Sequence, residues 1–225
     1  MTGTEQGKLI VLEGLDGSGK ATQAAMLYEA LAAQGRTVRK ITFPDYASDS
    51  SALVKLYLGG AFGDKPGDVN AYAASTFYSV DRYASYKMDW GKFYHKGGIL
   101  VSDRYTTSNA VHQCAKLPPA QWDAYLAWLF DLEYHKIAIP QPDLVVYLDV
   151  DPQVSQQLMT RRYQGHEEKK DIHEKDVAYL TRSREAARYC AGHLGWKRVT
   201  CTENGAMRSR EAIHGDVLTL AQACL

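Results

Sequence analysis

Five short apolar runs divide the chain: Lys8–Glu13, Thr37–Phe43, Gly98–Asp103, Leu144–Asp149 and Lys197–Cys201. Several are continuous in Leu, Ile and Val rather than alternating. That is the pattern of strands covered on both faces. Helix-length segments lie between them. In Ala21–Gln34 the residues Ala24, Leu27, Tyr28 and Leu31 fall at helical spacing, and Gly35 follows as a stop signal. Val69–Trp90 reads as one long, aromatic-rich helix. Gln121–His135 carries Tyr125, Leu126, Leu129 and Leu132 at helical positions. Pro152–Arg162 opens with a proline where first-turn geometry favours one, and Asp176–Leu194 and Arg210–Cys224 complete the set. Strands alternating with helices predict an α/β fold: a doubly wound, five-stranded parallel sheet with helices on both faces. Ligands of such a sheet bind outside the carboxyl ends of its strands.

Composition narrows the function classes. The 225 residues are 45% apolar and 23% charged, with 26 basic against 26 acidic side chains. A disordered or collagen-like chain is excluded. A whole-surface grip on nucleic acid is not expected without a basic excess. No run approaches the length of an apolar membrane span, and the polar start shows no signal-peptide pattern, so no membrane partner is expected. Cys114, Cys190, Cys201 and Cys224 are widely spaced, which fits reduced thiols and a cytoplasmic protein. The absence of a linker predicts a single domain over residues 1–225. Its most polar stretch, Arg161–Asp176, is expected to be mobile and solvated.

The strongest chemical signal closes the first strand. Gly14-Leu15-Asp16-Gly17-Ser18-Gly19-Lys20-Ala21-Thr22 satisfies G-x-x-x-x-G-K at a strand-to-helix junction. The glycines let backbone N–H groups turn inward onto a polyphosphate, and the following helix aims its positive end at the same place. Lys20 supplies a point charge for the β- and γ-phosphates. Ala21 stands where Ser or Thr would offer a hydroxyl to Mg²⁺, and Thr22 points about 100° away on a helix. Metal would then rest on carboxylates such as Asp16 or Asp103 together with the phosphates.

Further residues converge on one family. Asp103-Arg104-Tyr105 ends the third strand, and Phe43-Pro44-Asp45-Tyr46 closes the second. Phe77-Tyr78-Ser79-Val80-Asp81-Arg82 and Thr107-Ser108-Asn109-Ala110 follow the same order. With the glycine-rich loop they resemble thymidylate kinase over nearly the whole chain. The resemblance implies transfer of phosphate from ATP to dTMP, with Mg²⁺, in a homodimer.

Residue roles follow from chemistry and resemblance together. Tyr78 and Arg82 share a helix face four residues apart, so a ring to stack on the pyrimidine sits beside a guanidinium to donate to thymine O4. Phe43 and Pro44 would wall the same pocket. Arg104, at a strand end, suits the acceptor phosphate as a bidentate donor. The resemblance adds Asp16 toward the acceptor sugar, Ser108 beside it, and Asn109 on the base. His112 stands where some relatives carry Tyr or Phe against the sugar. Asp45 and Tyr46 stand where relatives often place an arginine, which shifts phosphate binding onto Arg104.

The segment at about residues 161–176 resembles the family's lid. The phosphate loop holds no arginine, so Arg161 and Arg162 are the candidates to neutralise the transferring group, with Lys169 and Lys170 as weaker substitutes. Glu174 is a further candidate metal ligand by resemblance. Two other readings share the loop: a deoxynucleoside kinase, with Asp103 or Glu13 as base for a sugar hydroxyl, and a nucleotide-dependent binding switch.

Overall fold

The computed structural model describes residues 6–151, 153–155, 157–158 and 172–225. Five strands form one parallel sheet: β1 (Lys8–Glu13), β2 (Val38–Thr42), β3 (Ile99–Asp103), β4 (Leu144–Asp149) and β5 (Lys197–Thr200). Their order is β2-β3-β1-β4-β5, as predicted in class and number. The period of two sorts the residues of β1 between two cores. Ile10 and Leu12 pack with Leu27 and Leu31 of α1 (Lys20–Ala33) and with Val217 of the C-terminal helix Arg210–Cys224. Leu9 and Val11 pack on the other face with Trp90, Tyr94 and Tyr105. Both faces are therefore covered, which is why the strands read as unbroken apolar runs.

The register sets the site. Leu12 and Thr42 both pair with Asp103, and Glu13 pairs with Tyr147. The carboxyl ends of β1, β2 and β3 therefore stop together. The glycine-rich loop, Phe43-Pro44 and Arg104 leave the sheet side by side.

The expected helix Val69–Trp90 is corrected to two pieces, with a short third helix beyond it. Asn70 caps α3 (Ala71–Ser85) by accepting a hydrogen bond from the Ala73 N–H at 2.8 Å. A π-helical turn (Tyr86–Trp90) follows, closed by the Gly91 N–H on the Tyr86 carbonyl, and then the short α4 (Gly91–Tyr94). A Cβ at Gly91 would stand 2.5 Å from that carbonyl, so the glycine permits the wide turn that seats the fully buried Trp90. The expected helix Gln121–His135 likewise splits. An α-helical part, Trp122–Phe130, runs into a π-helical stretch, Asp131–Lys136, with the Ile137 N–H reaching the Leu132 carbonyl at 2.8 Å. Hydrophobic spacing does not distinguish these geometries.

Three elements escaped the sequence reading. α2 (Ala52–Leu58) is short, and α5 (Thr106–Cys114) is built from TTSNAVHQC with no clear apolar stripe. The ribbon β6 (Thr202–Glu203) and β7 (Ala206–Met207) has two residues per strand. Of the predicted helix Pro152–Arg162, residues 153–155 and 157–158 are described and helical, while Arg161, Arg162, Lys169 and Lys170 lie outside the described residues. A helix Ile172–Lys175 and the long helix Val177–His193 follow. All four cysteines are free thiols. Among the described residues no helix is long and apolar enough to cross a membrane.

Candidate active site

A cavity of about 1170 Å³ opens at the carboxyl ends of β1, β2 and β3. The phosphate loop from Asp16 to Thr22 forms one wall, and Tyr78, Arg82, Arg104, Ser108, Asn109 and His112 line the same space with Phe43 and Pro44. The two halves of the predicted site thus share one cavity. Gly14 and Leu15 carry the turn behind this wall. A Cβ at Gly14 would lie 2.6 Å from Ser18 Oγ and 3.0 Å from the Leu148 carbonyl, so only glycine allows the loop to fold so closely on β4.

At Gly19 the backbone is left-handed, with φ at 84°, and it starts α1. No described side chain caps that start, so the first-turn N–H groups remain available to an anion. Lys20 folds back over the loop and donates to the Leu15 carbonyl at 2.9 Å, with Asp16 Oδ1 at 3.9 Å. Burial, ahead of the neighbouring Arg104 charge, lowers its ammonium to about 8. Ala21 and Thr22 both line the cavity from the first turn.

Arg104 sits just past β3 with φ at 68°, a region that bulky residues rarely adopt. Its backbone is pinned on both sides. The N–H donates to the Leu12 carbonyl at 3.1 Å, and the carbonyl accepts from Ser102 Oγ at 2.5 Å. The guanidinium donates to Asp16 Oδ1 at 2.5 Å and to Ser108 Oγ and His112 Nε2, each at 3.3 Å. Burial opposes its charge, but Asp16, Glu13 and Asp103 outweigh that and raise the guanidinium above its ordinary value. Asp16 responds in reverse: burial alone would raise it, but Arg104 and Lys20 hold the carboxyl well below the usual range. Burial and then Arg104 lower the His112 imidazole to about 3, so the ring is neutral.

Arg82 is more deeply engaged than its spacing suggested. It is almost fully buried and pairs with the fully buried Glu133, Nε to Oε2 at 3.2 Å and Nη2 to Oε1. Burial disfavours the cation, but Glu133 raises its guanidinium above the ordinary value. A second amino group reaches Asn109 Oδ1 at 3.5 Å, while Asn109 Nδ2 donates to the Ser75 carbonyl at 3.3 Å. Glu133 also accepts from Ser79 Oγ at 2.6 Å. Tyr78 is half-buried on the same helix, edge-on to Tyr57 at 6.5 Å. Phe43 is buried edge-on against Tyr105 at 5.7 Å.

Glu13 beneath the loop is fully buried and accepts from the Gly14 N–H, Thr107 Oγ1 and Ser108 Oγ at 2.7–2.9 Å. Asp103 presents one buried oxygen, Oδ1, that has no hydrogen-bond partner among the described residues. These also contain no cluster of three or more His, Cys, Asp or Glu side chains placed to hold a metal. The Glu174 side chain lies outside the described residues. Nothing in the residue pattern signals Glu133, which reaches Arg82 from a helix far along the chain. Nor is the Arg208–Arg210 stretch signalled there, although it lines the cavity together with His173.

Comparison with known proteins places this geometry. A family model, thymidylate kinase, matches residues 12–206. The thymidylate kinase of Mycobacterium tuberculosis is 32% identical over 148 residues, spanning 65% of this chain and 68% of that protein. The human thymidylate kinase is 29% identical over 222 residues, spanning 96% of this chain and 91% of that one. The solved structure of thymidylate kinase from Candida albicans shares the fold, with a TM-score of 0.70 at 19% identity over 97% of this chain and 92% of that one. The family model spans most of the chain, and the chain belongs to the thymidylate kinase family.

Proposed function

We propose that this chain transfers the γ-phosphoryl group of ATP to dTMP, giving dTDP and ADP. The carrying observation is the single cavity that joins the phosphate loop to the Tyr78–Arg82 wall and Arg104. An oxygen of the dTMP phosphate forms the new bond to the γ-phosphorus as the bond to the β–γ bridging oxygen breaks. With its second pKa at about 6, that phosphate is mostly dianionic at neutral pH and needs no base. Catalysis then rests on alignment and charge neutralisation.

In this reading the loop amides and Lys20 hold the triphosphate. Arg104 orients the acceptor phosphate, its guanidinium braced by Asp16 and Ser108. Tyr78 stacks on the thymine, while Arg82 and Asn109, held by Glu133 and Ser75, face the base edge. Phe43 and Pro44 close the pocket, and His112 borders the sugar. Within the lid at about residues 161–176, Arg161 or Arg162 supplies a further charge to the transferring group.

Mg²⁺ fits the donors present. The unpartnered Asp103 Oδ1 and the carboxylate of Asp16 would hold it, the remaining positions filled by water and phosphate oxygens. When bound it neutralises charge on the β- and γ-phosphates. The exposed residues Tyr72, Val80 and Tyr83 along α3 support a homodimer, and the four free thiols support a cytoplasmic setting.

The alternative of a sugar hydroxyl as acceptor is disfavoured at Glu13, whose carboxylate is already taken by three donors. A panel of dTMP, dUMP, dCMP and thymidine, with ATP and with or without Mg²⁺, tests the proposal. We expect ADP formation that depends on dTMP and on Mg²⁺, with dCMP at least tenfold poorer. Turnover of thymidine in preference to dTMP would overturn it.

A further inference from the structure

Beside the cavity runs a chain of polar groups that the reaction above does not use. Lys116, just after α5, donates from Nζ to the Tyr57 hydroxyl at 2.7 Å and to the Val69 carbonyl at 2.9 Å. Tyr57 is fully buried in α2. Its oxygen accepts from Lys116, and two acceptors lie within reach of its own proton. His173 Nε2 is 2.7 Å away, whereas the Pro66 carbonyl is at 3.5 Å. Where Tyr57 donates along this shorter contact, Nε2 accepts and the ring's proton sits on Nδ1.

His173 stacks on His112, with centroids 5.7 Å apart and planes 18° apart. Tyr179 also stacks against His112, at 6.2 Å and 23°, and its hydroxyl donates to the His112 carbonyl at 2.8 Å. The His112 edge meets Arg104: its Nε2 accepts from the guanidinium at 3.3 Å. An arginine only donates, so this ring too carries its proton on Nδ1. That buried Nδ1 has no partner among the described residues. Hydrogen bonding therefore fixes one edge of the ring only, and its plane is set by the aromatic faces around it.

We propose that Tyr57, Lys116 and His173 are positioning residues: as a directed chain they hold the His112 imidazole neutral and edge-on to Arg104, and so set the geometry of the acceptor-phosphate arginine. The proposal rests on the reading that Arg104 binds the dTMP phosphate. Burial, and then the Arg104 charge, likewise disfavour a proton on His112. The Tyr57 ring also stands edge-on to Tyr78 at 6.5 Å, so the hydroxyl can be removed while the packing that supports Tyr78 stays.

Tyr57→Phe isolates that hydroxyl. We expect the KM for dTMP to rise about tenfold with the KM for ATP close to wild type, and the thermal midpoint to fall by only a few degrees for the lost buried hydrogen bonds. Acting through His112, the substitution should add nothing in a His112→Phe background. An unchanged KM for dTMP, or effects of the two substitutions that simply multiply, overturns the proposal. Arg104→Ala, assayed in parallel, separates the two levels. Loss of dTMP binding there with an unaffected Tyr57→Phe sinks the chain alone. Normal dTMP binding in Arg104→Ala sinks the chain and the acceptor reading together.

Discussion

The phosphate-loop wall of the cavity comes from one unbroken run, Asp16 to Thr22, of mostly small residues around the side chain of Lys20, with the turn at Gly14 and Leu15 behind it. The opposite wall is assembled from Phe43 after β2, Tyr78 and Arg82 on α3, Arg104 after β3, and Asn109 and His112 on α5. There the side chains are buried in one another: Arg82 in Glu133 and Asn109, Arg104 in Asp16, Ser108 and His112. A wall made of backbone carries little side-chain energy and depends on glycine for its shape. A wall made of paired charges is part of the core, so its members hold the fold as well as line the cavity.

That contrast separates the consequences of substitution. Glu133→Leu leaves the Arg82 cation buried without its carboxylate, a loss of about 3–5 kcal/mol. Urea unfolding would register it as a marked drop in midpoint; an unchanged midpoint would mean that the acceptor wall is not a structural core. Lys20→Ala should behave in the opposite way. Its turnover falls about 10²–10³-fold, or about 3–4 kcal/mol in the barrier, while the unfolding midpoint stays near wild type. Wild-type turnover in that variant would remove Lys20 from the mechanism. The smallest effect concerns pH. Burial lowers the Lys20 ammonium to about 8, and a polyphosphate binds the protonated form, so ATP affinity is full below that value and falls as pH rises past it, by at most about tenfold per unit. Equilibrium titration from neutral to alkaline pH checks the sign; a flat profile would show that loop amides alone hold the triphosphate.

The same contrast explains what could be read from the chain. The loop was legible because its residues are contiguous and each glycine answers a local demand, as at Gly14 against Ser18 and Leu148. The sheet was legible because both faces are buried. Tyr78 and Arg82 could be paired by helical spacing, yet nothing in that spacing pointed to Glu133, which reaches Arg82 from another helix. α5 was missed as a helix because its residues are chosen for the cavity: Ser108, Asn109 and His112 replace the apolar stripe that would have announced it. The π-helical turns were missed because they alter hydrogen-bond spacing without altering hydrophobic content.

One of those turns constrains the molecule more than its length suggests. Glu133 lies inside Asp131–Lys136, where the backbone takes a five-residue step from Leu132 to Ile137. Removing one residue ahead of Glu133 would restore ordinary helix and move the carboxylate one position, about 100°, around the axis. Glu133 and Ser79 would part, and Arg82 would lose its anchor. The stretch works as a spacer of fixed length, so an indel there would be felt across the molecule at the Arg82 side of the cavity.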